Sequence, residues 1–215
     1  MQRITLILFL LFTGNSSFTQ TETYSQIREE IKRQLYRYRT QPEVSKDSIR
    51  TYLLNQFENK VYPHWVGTKW AYEGHTNTPG TDKEIACGYF VSTTLKHMHF
   101  QWNRYELAKM YSLNIVEKTC QDLKTYTDKT NLIKKVLSAP DNLYIIGLDS
   151  HVGFILKTNK MVWFVHSNYY GAQGPIKELA SVSPALNDSQ TYYLGTFFTD
   201  KNIGKWLQGE TFTFN

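Results

Sequence analysis

Leu143-Tyr144-Ile145-Ile146-Gly147-Leu148, His151-Val152-Gly153-Phe154-Ile155-Leu156 and Met161-Val162-Trp163-Phe164-Val165-His166 follow one another beyond Pro140, and a further apolar run spans Thr191 to Phe198. Short runs rich in β-branched and aromatic residues read as strands. Lys157-Thr158-Asn159-Lys160, between the second and third runs, reads as a hairpin turn that pairs them antiparallel. Upstream the texture is helical. Ile27, Ile31 and Leu35 recur at helical spacing within Tyr24 to Tyr38, and Ile49, Leu53 and Phe57 do so within Ser45 to Tyr62, after Pro42. A helix is predicted from about Cys87 to His99. One or two more are predicted between Asn103 and Leu137, with the stretch from Asn114 to Leu123, including Cys120, read as helical. Helices first and strands after predict an α+β fold, with N-terminal helices packed on an antiparallel sheet.

The chain of 215 residues, 41% hydrophobic and 15% aromatic, suits one sizeable domain. Three segments are expected: a signal peptide over 1–20, an N-terminal helical extension over 21–46, and the main domain over 47–215. The first segment carries Arg3, the apolar run Ile4 to Phe12 and the small polar run Thr13 to Gln20, the form of a secretion signal cleaved near Thr19 or Gln20. Its apolar run is far shorter than the ~20 residues that span a bilayer, so no stable membrane insertion is expected after its removal. The cleavage region also holds no cysteine to accept a lipid. The expected location is secreted or periplasmic.

The formal charge is +5, and loss of Arg3 leaves +4, because the first acidic residue is Glu22. Basic residues alternate with acidic ones in Arg28-Glu29-Glu30-Ile31-Lys32-Arg33, the pattern of a solvated helix face and not of a nucleic-acid-binding patch. An exported protein of this charge gains attraction to an anionic cell envelope.

Candidate chemistry begins at Cys87. The loop Gly67-Thr68-Lys69-Trp70-Ala71-Tyr72-Glu73-Gly74-His75-Thr76 leads into Ile85-Ala86-Cys87-Gly88-Tyr89-Phe90-Val91, where a helix is predicted to start. Unpaired N–H groups and the positive dipole end at such a position favour thiolate over thiol. His151 is the candidate base, which takes the thiol proton and returns it to a leaving amine. His166 is the candidate orienter of that imidazole. The two histidines lie at similar distances from the turn at 157–160, so strand register brings them opposite or nearly so.

The backbone N–H of Cys87 is a natural oxyanion donor, and Trp70 or Tyr72 would complete that pocket. Tyr169 and Tyr170, just after His166, are candidates to line a substrate groove. Each residue has a plainer role when taken singly, as a packed thiol or a hydrogen-bonded core histidine. The joint order carries the functional reading. A Cys87–Cys120 disulfide would disable the nucleophile, and Cys120 reads as a buried inert thiol. His97-Met98-His99 puts its imidazoles on different helix faces with no further ligand at useful spacing, so neither a metal nor another cofactor is expected.

In these motifs the chain resembles the NlpC-type papain-like cysteine peptidases, the bacterial cell-wall endopeptidases. That family runs Gly-Thr-x-aromatic-x-aromatic-x-Gly, a nucleophilic Cys opening a helix, a strand beginning His-Val-Gly, and a polar third member, often His, on the adjoining strand. The corresponding stretches here are Gly67 to Gly74, Cys87 with Gly88 and Phe90-Val91, His151-Val152-Gly153 and Phe164-Val165-His166-Ser167, and Asp141-Asn142-Leu143 resembles the family's Gly-Asp-Leu lead-in. The likeness covers roughly Ile49 to Phe198. It implies a papain-like fold and an amide-bond hydrolase acting on peptidoglycan stem peptides, as endopeptidase or amidase, with Cys87, His151 and His166 as catalytic residues.

The family also places an aromatic hydroxyl from the Gly67–Gly74 loop near the nucleophile. Counting puts Trp70 at that tyrosine's place, while Tyr72 is the chemically equivalent residue. The chain departs from the family in carrying Ala86-Cys87-Gly88-Tyr89 for Asp-Cys-Ser-Gly and in a longer loop between Gly74 and Cys87. Two other functions share parts of this pattern: a transglutaminase-like acyl transferase, in which Asp149 would partner the base, and a catalytically inactive exported cell-wall-binding module.

Overall fold

A computed structural model describes residues 22–214; the signal segment expected over 1–20 lies outside the described residues. The chain begins with helix α1 (Tyr24–Arg39), opened by a capping box in which the Thr23 hydroxyl accepts from the Gln26 N–H. A long helix follows in three pieces, α2 (Lys46–Gln56), a π-helical turn (Phe57–Val61) and α3 (Tyr62–Trp65). The wide turn just precedes Pro63, which has no N–H and whose ring would crowd the carbonyl four residues back. Next come α4 (Cys87–His97), α5 (Arg104–Ala108), α6 (Ser112–Thr119), strand β1 (Gln121–Tyr126) and α7 (Lys129–Leu137). The remainder is β2 (Asn142–Gly147), β3 (Val152–Thr158), β4 (Met161–Asn168), a 3-10 turn (Tyr170–Ala172), β5 (Gly174–Leu179), α8 (Pro184–Asn187), β6 (Tyr192–Thr196) and α9 (Asp200–Gln208).

The six strands form one sheet in the order β1-β6-β2-β3-β4-β5, with every neighbouring pair antiparallel, so the fold is α+β as expected. The β3–β4 turn has Asn159 and Lys160 at φ 51° and 63°, the left-handed pair that matches the strand twist in a two-residue hairpin.

Alternation along the strands sends side chains to two cores. Leu143, Ile145, Val152, Phe154, Leu156 and Val165 face the cluster that contains Phe90 and Leu95 of α4, whereas Tyr144, Ile146, Ile155 and Phe164 pack with Leu132 and Val136 of α7. Residues 21–46, set apart in the sequence as a helical extension, supply Ile27, Ile31 and Leu35 to the same cluster as Trp65 and Phe90.

Two sequence expectations are corrected, and further elements were not anticipated. The one or two helices expected between Asn103 and Leu137 are three, α5, α6 and α7. Cys120 is not helical: α6 ends at Thr119, Cys120 is extended at φ −110° and ψ 169°, and β1 follows. The four inner residues of β1 are exposed, so no apolar alternation marks it; backbone pairing to β6 creates it. β5 and α9 were likewise not anticipated. β5 is an edge strand interrupted by Pro175, and α9 is held by buried Ile203 and Trp206.

His97 and His99 have separate partners. His97 Nδ1 is hydrogen-bonded to the Tyr24 hydroxyl at 3.0 Å, with the ring stacked on Trp65, and His99 Nε2 meets the Arg28 carbonyl at 3.0 Å. Burial holds the His97 imidazole neutral, with its pKa lowered to about 3. The unfolded chain therefore binds a proton that the folded one refuses, and stability falls as pH drops below 6.5. The loss from this group is expected to reach roughly 3 kcal/mol at pH 4. Urea midpoints measured between pH 7 and 4 check this, and His97→Phe is expected to flatten that dependence.

Candidate active site

α4 begins at Cys87, and its N-cap residue, Ala86, has no side chain able to cap the helix. The backbone N–H groups of Val152, Gly88 and Cys87 approach the Cys87 sulfur closely enough to favour its ionised form. The Val152 approach sets that sulfur against the start of β3, one residue after His151. The lead-in is held from both sides. Ile85 N–H donates to the Lys69 carbonyl at 2.8 Å and Ala86 N–H to the Gly74 carbonyl at 2.7 Å, while the Ser167 hydroxyl on β4 donates to the Ile85 carbonyl at 2.7 Å. Buried Arg104 clamps the same loop, donating to the carbonyls of His75 and Thr76 and to the Thr93 hydroxyl.

His151 and His166 meet as the hairpin predicts. Cα pairing aligns Phe154 with Val165, which offsets His151 from His166 diagonally, and Nε2 of His151 lies 2.8 Å from Nδ1 of His166. Two features make room for this contact. Gly153 has no side chain where a Cβ would lie 2.8 Å from that of His166, and the Phe164 ring stacks on His166 at 4.0 Å. His166 is fully buried and continues the chain of contacts: its Nε2 is 3.2 Å from Oε1 of Glu178 on β5.

A cleft of about 870 Å³ opens over Cys87 and His151, within the size range of small-ligand sites. Trp70, Tyr72 and Tyr169 all line it, so the three candidate substrate-binding residues share one cavity with two of the three catalytic candidates. Tyr169 packs edge-on to His151 at 5.2 Å and to Trp70 at 6.2 Å. Tyr72 is 81% exposed, whereas the indole N–H of Trp70 is buried without a hydrogen-bond partner. Tyr170 turns to Asp188, to which its hydroxyl donates. The opposite wall runs from Ala108 to Leu113 and carries Tyr111, 85% exposed.

Electrostatics alter one expectation. The helix end was expected to favour thiolate. Burial instead pushes the Cys87 thiol up against the opposing pull of its three N–H donors, and burial with the neighbouring His166 pushes the His151 imidazole well down. The resting pair is thus neutral thiol and neutral imidazole. Burial also lowers His166, opposed by Glu178. For Glu178 itself burial raises the carboxyl, and hydrogen bonds from His166 and Ser183 more than offset it. Cys87 and Cys120 are both free thiols, and burial pushes Cys120 up to about 12, which makes it unreactive.

Asp149 lines the cleft but accepts from the backbone N–H groups of Gln190 and Thr191, which hold its carboxyl below the usual range. It pins a turn, and His166 is the residue bonded to His151. Glu178 escaped the sequence reading because β5 did; its alternation with Ile176 under Phe164 and His166 emerges only once the β4–β5 register is known. Among the described residues no cluster of three metal-ligating side chains is present and no helix is long and apolar enough to cross a membrane. Comparison with known protein families, with curated proteins and with solved structures finds no match for this chain.

Gly88 stands where the resembled family has Ser, and an added Cβ there would sit 2.3 Å from the Ala108 carbonyl. Gly88→Ala must therefore push the Ala108–Leu113 wall away from α4, and is expected to lower stability by about 1–3 kcal/mol. Urea unfolding measures this; an unchanged midpoint would contradict the close approach.

Proposed function

We propose that this protein is an exported cysteine hydrolase, a divergent relative of the NlpC-type papain-like peptidases, that cleaves an amide bond in peptidoglycan stem peptides as endopeptidase or amidase. The observation that carries the reading is a helix-start thiol that shares the lining of one open cleft with His151 and Val152, with His151 itself bonded to His166.

In the proposed mechanism His151 uses Nδ1, the ring nitrogen not engaged by His166. The thiol proton passes from Sγ to Nδ1 as the sulfur attacks the amide carbon, so charge appears only with the attack. The oxyanion is received by the backbone N–H of Cys87, with Trp70 or Tyr72 completing the pocket. The imidazolium then returns its proton to the departing amine, leaving a thioester. Water, deprotonated by His151, attacks that thioester and regenerates the thiol. His166 keeps the ring of His151 in the required orientation throughout.

The substrate assignment rests on the family resemblance together with the aromatic, open cleft. An acyl transferase with Asp149 as third member is disfavoured, because that carboxylate is committed to Gln190 and Thr191.

Digestion of purified peptidoglycan, with fragments identified by mass, tests the reading. Wild type is expected to release peptide fragments and Cys87→Ala none; retention of the wall without cutting by wild type would establish the inactive binding module instead.

The burial of both partners also sets the pH profile. Protonated His151 cannot accept the thiol proton, and its lowered pKa moves the acid limb of kcat/KM below the ordinary 6.5. The raised thiol moves the alkaline limb above the ordinary 9.0. A plateau wider than that interval is expected, and an acid limb at or above 6.5 would refute the neutral resting pair.

A further inference from the structure

The hydrogen-bonded chain does not stop at His166. Glu178 pairs with Phe164 across the β4–β5 ladder and lies on the same sheet face as His166, whose Nε2 it meets at 3.2 Å. Beside it stands the buried Ser183, whose hydroxyl favours the ionised carboxylate and accepts from the Leu186 N–H at the start of α8. An ionised carboxylate has no hydrogen to give, so every bond that it makes requires a donor opposite. Ser183 therefore donates to it through its O–H, and His166 must present Nε2–H.

A neutral imidazole carries one N–H. With that hydrogen committed to Glu178, Nδ1 of His166 is a bare lone pair and can only accept. His151, 2.8 Å away through Nε2, must then be the donor of that second bond. Its single hydrogen thus lies on Nε2, and its Nδ1 is bare. One carboxylate, remote from the cleft, dictates the proton positions on two successive rings.

We propose that Glu178 is a positioning residue that fixes the tautomers of His166 and His151 and so keeps the thiol-facing nitrogen of His151 able to accept a proton. The proposal rests on the reading of Cys87 and His151 as nucleophile and base. Glu178 touches neither substrate nor sulfur and acts through His166. Removal of its carboxylate would let His166 place its hydrogen on Nδ1, which forces His151 to carry its own on Nδ1, where it blocks the base.

Long-range 1H–15N spectra of 15N-histidine-labelled protein read the tautomers directly, and the rate of Cys87 alkylation by iodoacetamide, followed by peptide mass, reads their effect on the thiol. Neither needs a substrate, so failure of peptidoglycan digestion leaves this test intact, while a working hydrolase with the wrong tautomers would overturn the positioning role alone. In wild type both His151 and His166 are expected to carry the proton on Nε2. In Glu178→Leu a population with Nδ1–H on both rings is expected, with alkylation slowed about tenfold or more, below the ~10²–10⁴-fold of a positioned acid–base group itself. Glu178→Gln, which still offers an oxygen to His166, is expected to retain the wild-type tautomers.

A wild-type His166 with its proton on Nδ1 overturns the proposal, as does Glu178→Leu with wild-type tautomers and alkylation rate. If Glu178→Leu does not fold, as judged by near-ultraviolet circular dichroism, the wild-type and Glu178→Gln spectra decide: Nε2–H on both rings in both proteins supports the proposal, and any other pattern overturns it.

Discussion

The hydrogen bond between His151 and His166 is the contact around which the site is organised. Both rings are buried, and a buried imidazole nitrogen left without a partner would cost about 1–3 kcal/mol. The bond exists because three local choices agree. Asn159 and Lys160 adopt the left-handed turn that sets the β3–β4 register, Gly153 leaves the space that a side chain would fill, and the Phe164 ring backs His166. Ser167, the next residue along β4, then reaches across to the Ile85 carbonyl and couples this sheet edge to the segment that delivers Cys87. His151 and Cys87 are thereby held by one frame although they are far apart in the chain.

The cleft wall depends on different physics. Arg104 is a buried charge whose guanidinium is satisfied by carbonyls, by the Thr93 hydroxyl and by the rings of Tyr89 and Tyr105. Such a fork suits a loop rich in backbone acceptors, because it gathers several carbonyls at one point. The long stretch between Gly74 and Cys87, the feature by which the chain departs most from the family it resembles, is anchored in this way. The cleft itself is lined by Trp70, Tyr72 and Glu73, just before that stretch, and by the Ala108–Leu113 wall.

Legibility in the sequence followed the strength of local patterning. Ile27, Ile31 and Leu35 repeat at helical spacing and are buried as a stripe, and the runs at 143–148, 151–156 and 161–166 are apolar enough to be strands in any context. The Cys87, His151 and His166 constellation was readable from the order of motifs and the symmetric placement of the histidines about the turn. β1 and β5 were not readable, because edge strands with exposed residues or a proline depend on a neighbour's backbone for their form. Helix α9 carried a signal that was passed over: Thr199 as cap, Ile203 and Trp206 one turn apart, and Gly209 at φ 72° beyond the end. The protonation of the thiol pair was illegible in principle, since burial in three dimensions outweighs the helix-end effect that one-dimensional reading supplies.

The connection from β4 to β5 acts as a length gauge. Gly171, Ala172 and Gly174 all have positive φ, and a Cβ at Gly174 would lie 1.8 Å from the Thr68 carbonyl, so this loop fits against its neighbour at one length. Side chains alternate along a strand, and a one-residue insertion would slide β5 so that Lys177 took the place of Glu178 beside His166, whereas a deletion would put Leu179 there. Whether a carboxylate stands behind the paired histidines is thus decided by how many residues the chain spends in turning a corner.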